Sequence, residues 1–213
     1  MHDAGALMRL ARDEYLNLLL IRHGQAGGNG ERDGLIGEAL SSTGEEQAKL
    51  LAERMASLPL DYIYCSDMAR SFQTADAVRK YHRNTPFESI PEVREISSFQ
   101  MPGMPPARKA EERAILHEQR ERVARFVAMI REKHKPGQLV AVIAHNGVNA
   151  MILAGIAGLP IRRTIRLVSC HTGVSVVSVD WKPPMAILRM MGCVRHLPPD
   201  LVTYINVQSN GFV

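Results

Sequence analysis

Three short apolar runs, each closed by polar residues and followed by a helix-like pattern, constrain the fold of this chain more than any other feature of its sequence. The runs are Leu16-Asn-Leu-Leu-Leu-Ile21, Tyr62-Ile-Tyr-Cys65 and Leu139-Val-Ala-Val-Ile-Ala144. Near-continuous apolar runs of this length read as strands covered on both faces, the habit of a mostly parallel sheet held between helices. After the first run, Leu40-Ser-Ser-Thr-Gly-Glu-Glu46 announces a helix. Ser42 or Ser41 can cap it, Glu45 and Glu46 sit in the favourable first turn, and Leu50, Leu51 and Met55 form its apolar face before Pro59. After the second run, a helix starts beyond Ser66-Asp67 with Met68, Phe72, Ala75 and Val78 on one face.

The stretch from Pro86 to Pro106 is rich in proline and reads as loop with one short extended piece. A long helix follows from about Ala107 to Lys133, and the third apolar run leads into a helix over Val148 to Ala157. Period-2 alternation from Gly173 to Trp181 and from Met185 to Met191, around Lys182-Pro-Pro184, predicts an antiparallel hairpin at a sheet edge. Its Ser175–Val179 part offers a pairing edge for a homodimer. The expected architecture is α/β: a three-layer α/β/α sandwich with a mostly parallel central sheet and one antiparallel edge strand. One domain over residues 1–213 accounts for the pattern, with 1–15 as an N-terminal extension.

Charge and composition narrow the function. The net charge is +4 and aromatic residues make up 5%. Acids and bases are intermixed, with no clustered basic and aromatic face of the kind that binds nucleic acid. No apolar run approaches the roughly 18–20 residues of a membrane span. Met1 to Tyr15 carries charges throughout and lacks the apolar centre of a secretory signal. Cys65, Cys170 and Cys193 have no CxxC spacing and read as reduced thiols of a cytoplasmic protein.

All three strand ends carry residues suited to one anionic ligand: Arg22-His23-Gly24-Gln25, Ser66-Asp67-Met68-Ala69-Arg70 and His145-Asn146-Gly147. In open α/β sheets ligands bind outside the carboxyl ends of the strands. If these strands are parallel neighbours, two histidines and two arginines meet in one crevice, where the planar arginine fork suits a phosphoryl group. Each piece alone recurs by chance, and a histidine after a strand is commonly a core or surface residue. The conjunction, in the same polarity three times, carries the reading. No third or fourth ligand stands at HxxxH or HxH spacing, so a metal site is not expected.

Leu18-Leu-Leu-Ile-Arg-His-Gly-Gln25 with Asn29 resembles the signature of the histidine phosphatase superfamily, in its phosphoglycerate mutase-like branch. So do Leu40-Ser-x-x-Gly44-x-x-Gln47-Ala48, Ser66-Asp-x-x-Arg70-x-x-Gln73-Thr74-Ala75, Val142-Ile-Ala-His145-x-Gly147 and Arg195-His196-Leu197. The resemblance covers about residues 16–200 in family order. It implies that His23 is the nucleophile that takes the phosphoryl group and that Arg22, Arg70 and His145 form the phosphate pocket. Asn29 matches a further phosphate contact, and Asn146, beside His145, is counted with the pocket. The proton donor implied is a glutamate after the second helix. Glu95 fits the apolar-Arg-Glu-Ile context of Val93-Arg94-Glu95-Ile96, with Glu92 as the other candidate. The family's following Gly and Trp-x-Gly are absent, replaced by Ser97-Ser-Phe-Gln-Met-Pro-Gly103. A relative branch places its acid as Asp directly after the second histidine, and Asn146 cannot serve that way.

The activity implied is hydrolysis of small phosphate monoesters through a phosphohistidine, without cofactor or metal. The segment at about 86–108 would face the substrate. A mutase of the same family is the first alternative. Only 50 residues separate Glu95 from His145, and family mutases carry a longer insert there, which favours hydrolysis. A non-catalytic phosphate-binding regulatory module is the alternative of another class. His171 and His196 read as buried structural residues, although His171 could orient the pocket.

Overall fold

The computed structural model describes residues 14–28, 35–96, 106–157, 168–181 and 184–204. Strand β1 (Leu16–Arg22) lies in a six-stranded sheet with β4 (Tyr62–Ser66), β5 (Phe87–Ile90), β6 (Leu139–Ala144), β7 (Val174–Trp181) and β8 (Pro184–Cys193). The spatial order is β5-β4-β6-β1-β7-β8. The first four strands in that order run parallel, so β1, β4 and β6 are the adjacent, co-directional strands that the three apolar runs require. Two short strands, β2 (Ala26–Gly28) and β3 (Ala39–Leu40), pair separately beside them.

The continuous apolar runs follow from burial on both faces. Leu16, Leu18 and Leu20 of β1 and Val140 and Val142 of β6 pack under α3 (Pro106–Lys133) and α4 (Asn146–Ile156), against Val123, Phe126, Ile130, Val148, Met151 and Ile152. Their neighbours Leu19, Ile21, Ala141 and Ile143 point the other way. They meet Leu51, Met55, Ala75 and Val78 of α1 (Ser42–Met55) and α2 (Ala69–Arg79). Each strand therefore alternates between two cores, both apolar, and shows no polar face. Asn17 is the exception, fully buried. Its Oδ1 accepts the Ser178 hydroxyl at 2.5 Å and its Nδ2 donates to the Tyr15 carbonyl at 3.2 Å, which offsets the cost of burying the amide.

Helix α1 is capped by Ser41, whose hydroxyl accepts the Gly44 N–H at 3.1 Å. Of the two serines offered by the sequence, the first takes the cap. Helix α4 starts at Asn146, two residues earlier than its apolar pattern, so the chain passes from strand end to helix at His145. After β5 a 3₁₀ turn, Pro91–Val93, drives Val93 into the core and presents Arg94 and Glu95 beyond it.

The hairpin expected at the sheet edge is present. Its inner arm β7 is antiparallel to β1, and β8 forms the outer strand. Residues 176–179 pair with β1 on one side and β8 on the other, so the free edge belongs to β8 and the dimer edge expected at Ser175–Val179 is not there. Among the described residues no helix is long and apolar enough to cross a membrane.

Candidate active site

The carboxyl ends of β1, β4 and β6 deliver Arg22 with His23, Ser66 with Asp67, and His145 to one crevice, and α2 brings Arg70 one turn later. A close backbone approach shapes the floor. A Cβ at Gly24 would stand 2.7 Å from the Gly44 carbonyl oxygen, so the loop after β1 and the start of α1 touch backbone to backbone. Gln47 of α1, fully buried, accepts the Gln25 N–H at 2.8 Å. The Thr74 hydroxyl accepts the Gly24 N–H at 3.1 Å and donates to the Arg70 carbonyl at 2.7 Å. The loop carrying His23 is thereby tied to both helices.

His23 is held as one tautomer. Its Nδ1–H donates to the Gly24 carbonyl at 2.6 Å, and Nε2 accepts the Nε–H of Arg70 at 3.0 Å. Burial holds its pKa well below the usual histidine value, and the neighbouring His145 ring and the charges of Arg70 and Arg22 push the same way. The ring is neutral at physiological pH with its Nε2 lone pair available, the state a nucleophile needs. The flanking arginines disfavour protonation, yet burial is the larger cause. The His145 ring lies edge-on to His23, centroids 4.9 Å apart. Burial, aided by Arg70 and Arg22, lowers its pKa to about 2. Ser71 stands 3.3 Å from its Nε2, whereas its Nδ1 is buried without a hydrogen-bond partner.

Arg22 is 3% exposed, and burial lowers its pKa to about 10 against the opposing pull of the Glu95 charge. It donates to the Ser169 carbonyl at 2.6 Å and to His171 Nε2 at 2.8 Å, while its Nε is buried and unpartnered. His171 in turn donates from Nδ1 to the Thr203 hydroxyl at 2.8 Å, and Gln47 Nε2 donates to the same oxygen at 2.8 Å. Two buried donor positions, Arg22 Nε and His145 Nδ1, thus lack an acceptor among the described residues beside a neutral nucleophile. Buried polar atoms of this kind call for a partner, and the surrounding charge specifies an anionic one.

Glu95 sits on the far side of the crevice. Its Oε1 accepts the Ile96 N–H at 2.9 Å and lies 2.9 Å from where a Cβ at Gly147 would stand. Burial raises its pKa, opposed by that hydrogen bond, the Val148 N–H and the charges of Arg70 and Arg22. A carboxyl pushed upward and facing both arginines is suited to alternate as acid and base. Glu92 lies on the 3₁₀ turn, and no such set of contacts joins it to the histidines.

Of the residues expected from sequence, His23, Arg22, Arg70, His145 and Glu95 converge. Asn146 is adjacent, but its Oδ1 accepts the Ser169 N–H at 2.7 Å, so it pins the segment whose carbonyl holds Arg22. Any contact of Asn146 with phosphate falls to its Nδ2. Asn29 lies outside the described residues, as do positions 97–105 of the expected substrate segment. His171 is buried, as expected from sequence, and it also takes the alternative left open there, orienting the pocket as a partner of Arg22. A signal for it existed: β7 runs antiparallel beside β1, so the residues preceding it lie at the carboxyl end of the parallel strands. Arg122 and Ser71 had no such signal, whereas Asp67 stands in the strand-end segment that the sequence marks. Among the described residues, no group of three or more His, Cys, Asp or Glu could hold a metal ion.

Known proteins share this fold. An adenosylcobalamin/alpha-ribazole phosphatase of Escherichia coli is 26% identical over 174 residues, covering 68% of this chain and 81% of that one. Phosphoserine phosphatase 1 of Hydrogenobacter thermophilus is 40% identical over 62 residues, 28% of this chain and 29% of that one. The chain spans less than a third of the length of several curated relatives it matches, such as a phosphoglycerate mutase-like protein of Arabidopsis thaliana at 30%. Among solved structures, an E. coli protein described as a candidate alpha-ribazole-5'-P phosphatase superposes with a TM-score of 0.66 at 25% identity, covering 84% of this chain and 97% of that one. A mycobacterial glucosyl-3-phosphoglycerate phosphatase shares the fold at 20% identity and a TM-score of 0.65, with 84% and 99% covered. The model of the histidine phosphatase superfamily, branch 1, matches residues 18–188, and the chain belongs to that family.

Proposed function

We propose that this protein hydrolyses small phosphate monoesters through a phosphohistidine on His23. The observation that carries the reading is the His23 tautomer: Nδ1–H is spent on the Gly24 carbonyl and the Nε2 lone pair faces Arg70. Nε2 attacks phosphorus in line with the ester oxygen. Arg22, Arg70 and His145 stabilise the equatorial oxygens, with the Ser71 hydroxyl donating to His145 Nε2 and Nδ1–H left for a phosphoryl oxygen. As the P–O bond breaks, protonated Glu95 gives its proton to the leaving oxygen. The resulting carboxylate then takes a proton from water, hydroxide attacks the phosphohistidine, and inorganic phosphate leaves with His23 neutral again.

Return of the phosphoryl group to a second alcohol would make the protein a mutase and shares every step up to the phosphohistidine. The short segment between Glu95 and His145, spanned largely by α3, favours water as the acceptor. The cysteines among the described residues are free, which suits a reducing cytoplasm. Incubation with a labelled phosphate donor should give acid-labile, base-stable labelling of the protein, absent in His23→Ala. Release of phosphate from an aryl phosphate should fall to background in that variant. Hydrolysis near the wild-type rate in His23→Ala would remove the mechanism, and no hydrolysis by the wild-type protein would leave the phosphate-binding module as the reading.

A further inference from the structure

We infer that Arg122, on the middle of α3, is a positioning residue for the Glu95 carboxyl. This inference rests on the assignment of Glu95 as the proton donor. Arg122 donates to the Pro91 carbonyl at 2.9 Å, to the Arg94 carbonyl at 3.0 Å and to the Glu95 carbonyl at 3.3 Å. One guanidinium thereby gathers three of the five carbonyls from Pro91 to Glu95, the 3₁₀ turn and the two residues after it. Only a planar fork with several fixed donors can do this, since an ammonium on a flexible stem offers no such geometry.

The turn needs such a clamp. A 3₁₀ turn of three residues is a weak element, and its last carbonyls have no partner within a continuing helix. Val93 and Ile96 anchor it in the core on either side of Glu95, at 0% and 3% exposure. The Arg94 side chain is tied to Asp67 at the end of β4, its Nε donating to Oδ1 at 2.7 Å. The Asp67 pair fixes the turn from the nucleophile's side, and Arg122 fixes it from the helical layer. Glu95 itself is left with its carboxyl against Gly147 and the Ile96 N–H. The Arg122 charge also acts on His145 and Glu95 electrostatically.

Glu95's turn therefore has its backbone set by α3, and the carboxyl's reach to the ester oxygen is set with it. A displacement of the acid is felt where the leaving group needs a proton and not where it departs unaided. That separates positioning from a structural role, which would lower every rate alike.

The experiment measures kcat/KM for 4-nitrophenyl, phenyl and propyl phosphate in wild type, Arg122→Lys, Arg122→Gln and Glu95→Gln, with vanadate inhibition as a probe of the phosphate pocket. For both Arg122 variants, kcat/KM for propyl phosphate should fall about 10–100-fold, a share of the effect of a general acid, while 4-nitrophenyl phosphate changes less than about threefold. Vanadate inhibition should be unchanged. Equal losses on all three esters, no loss on any, or weakened vanadate binding would overturn the inference. Glu95→Gln is the control on the underlying reading. If it shows no dependence on leaving group, the Glu95 assignment fails and the inference with it. If it does and the Arg122 variants do not, the inference alone fails. Melting curves of each variant identify any that is not folded, and Lys and Gln both keep a donor and most of the side-chain bulk.

Discussion

The Nε–H of Arg70 donates to Nε2 of His23 at 3.0 Å, so in the proposed mechanism the charge that holds the phosphoryl group already rests on the lone pair that attacks it. The contact fixes the attacking nitrogen without competing with Nδ1, which the Gly24 carbonyl keeps protonated. When phosphorus occupies the space over Nε2, the guanidinium can turn the same donors to phosphoryl oxygens. Arg70→Lys retains the charge but loses Nε and the fork. It should lower kcat by about 10²–10³-fold, the usual cost of losing one aligned donor to transition-state charge. Vanadate should bind more weakly in the same variant. A rate within a factor of about two of wild type would remove Arg70 from the transfer step.

Glu95 predicts the shape of the pH profile. Burial raises its pKa, and the Arg70 and Arg22 charges oppose the rise. In the free enzyme, kcat/KM for a propyl ester should fall as pH climbs through that raised value. The substrate's phosphate charge, once bound, offsets the two arginines, so the corresponding limb of kcat should stand at higher pH. Glu95→Gln should abolish both limbs. A limb that persists in Glu95→Gln would move the acid to another group, with Glu92 the next to test.

The buried histidines predict how stability depends on pH. His145 is lowered to about 2 and His171 to about 4, from 6.5 in each case, chiefly by burial. His23 is lowered too. Groups with depressed folded values take up protons on unfolding, so their stabilisation is complete above the unfolded value and is lost as pH falls below it. Glu95, raised by burial, acts in the opposite sense, binding its proton more tightly when folded. Unfolding free energy in urea should therefore rise with pH from about 4.5 to about 6.5. His171→Gln should flatten the rise by about one proton and Glu95→Gln should steepen it. A flat profile in the wild-type protein would mean that these rings are solvated in the fold.

Much of this site was legible before the fold was known, for a physical reason. β1, β4 and β6 are covered on both faces, so their runs are apolar throughout and their ends are marked sharply by Arg22, Ser66 and His145. The chemistry stands at those ends because parallel strands gather there. His171 was legible only as a residue that could orient the pocket, through its place just before β7, and Arg122 not at all, because its contacts lie 27 or more residues away along the chain. No local pattern encodes such a contact. The hairpin was read correctly, yet its free strand was misplaced at Ser175–Val179, because alternation shows which residues face in and not which strand stands outside.

Gly147 closes the last gap between helix and acid, and it makes the sharpest structural prediction. It follows His145 by two residues on the first turn of α4, and a Cβ there would collide with the Ile96 side chain and approach Glu95 Oε1 to 2.9 Å. Ile96 is 3% exposed and has little room to retreat. Gly147→Ala must therefore push the Glu95–Ile96 segment away from α4 or push α4 off the sheet. Overpacking of this kind costs about 1–3 kcal/mol. For a chain of this size, that lowers Tm by roughly 2–12 °C. The two routes differ in their kinetics. If the acid segment yields, kcat/KM for a propyl ester falls while 4-nitrophenyl phosphate is spared. If α4 yields, His145 moves, and both esters lose rate together with vanadate affinity. The segment should yield first, because it is a short turn held by a few hydrogen bonds, whereas α4 is packed along its length by Val148, Met151 and Ile152. An unchanged Tm and unchanged rates on both esters would show that Glu95 and Ile96 do not lie against α4.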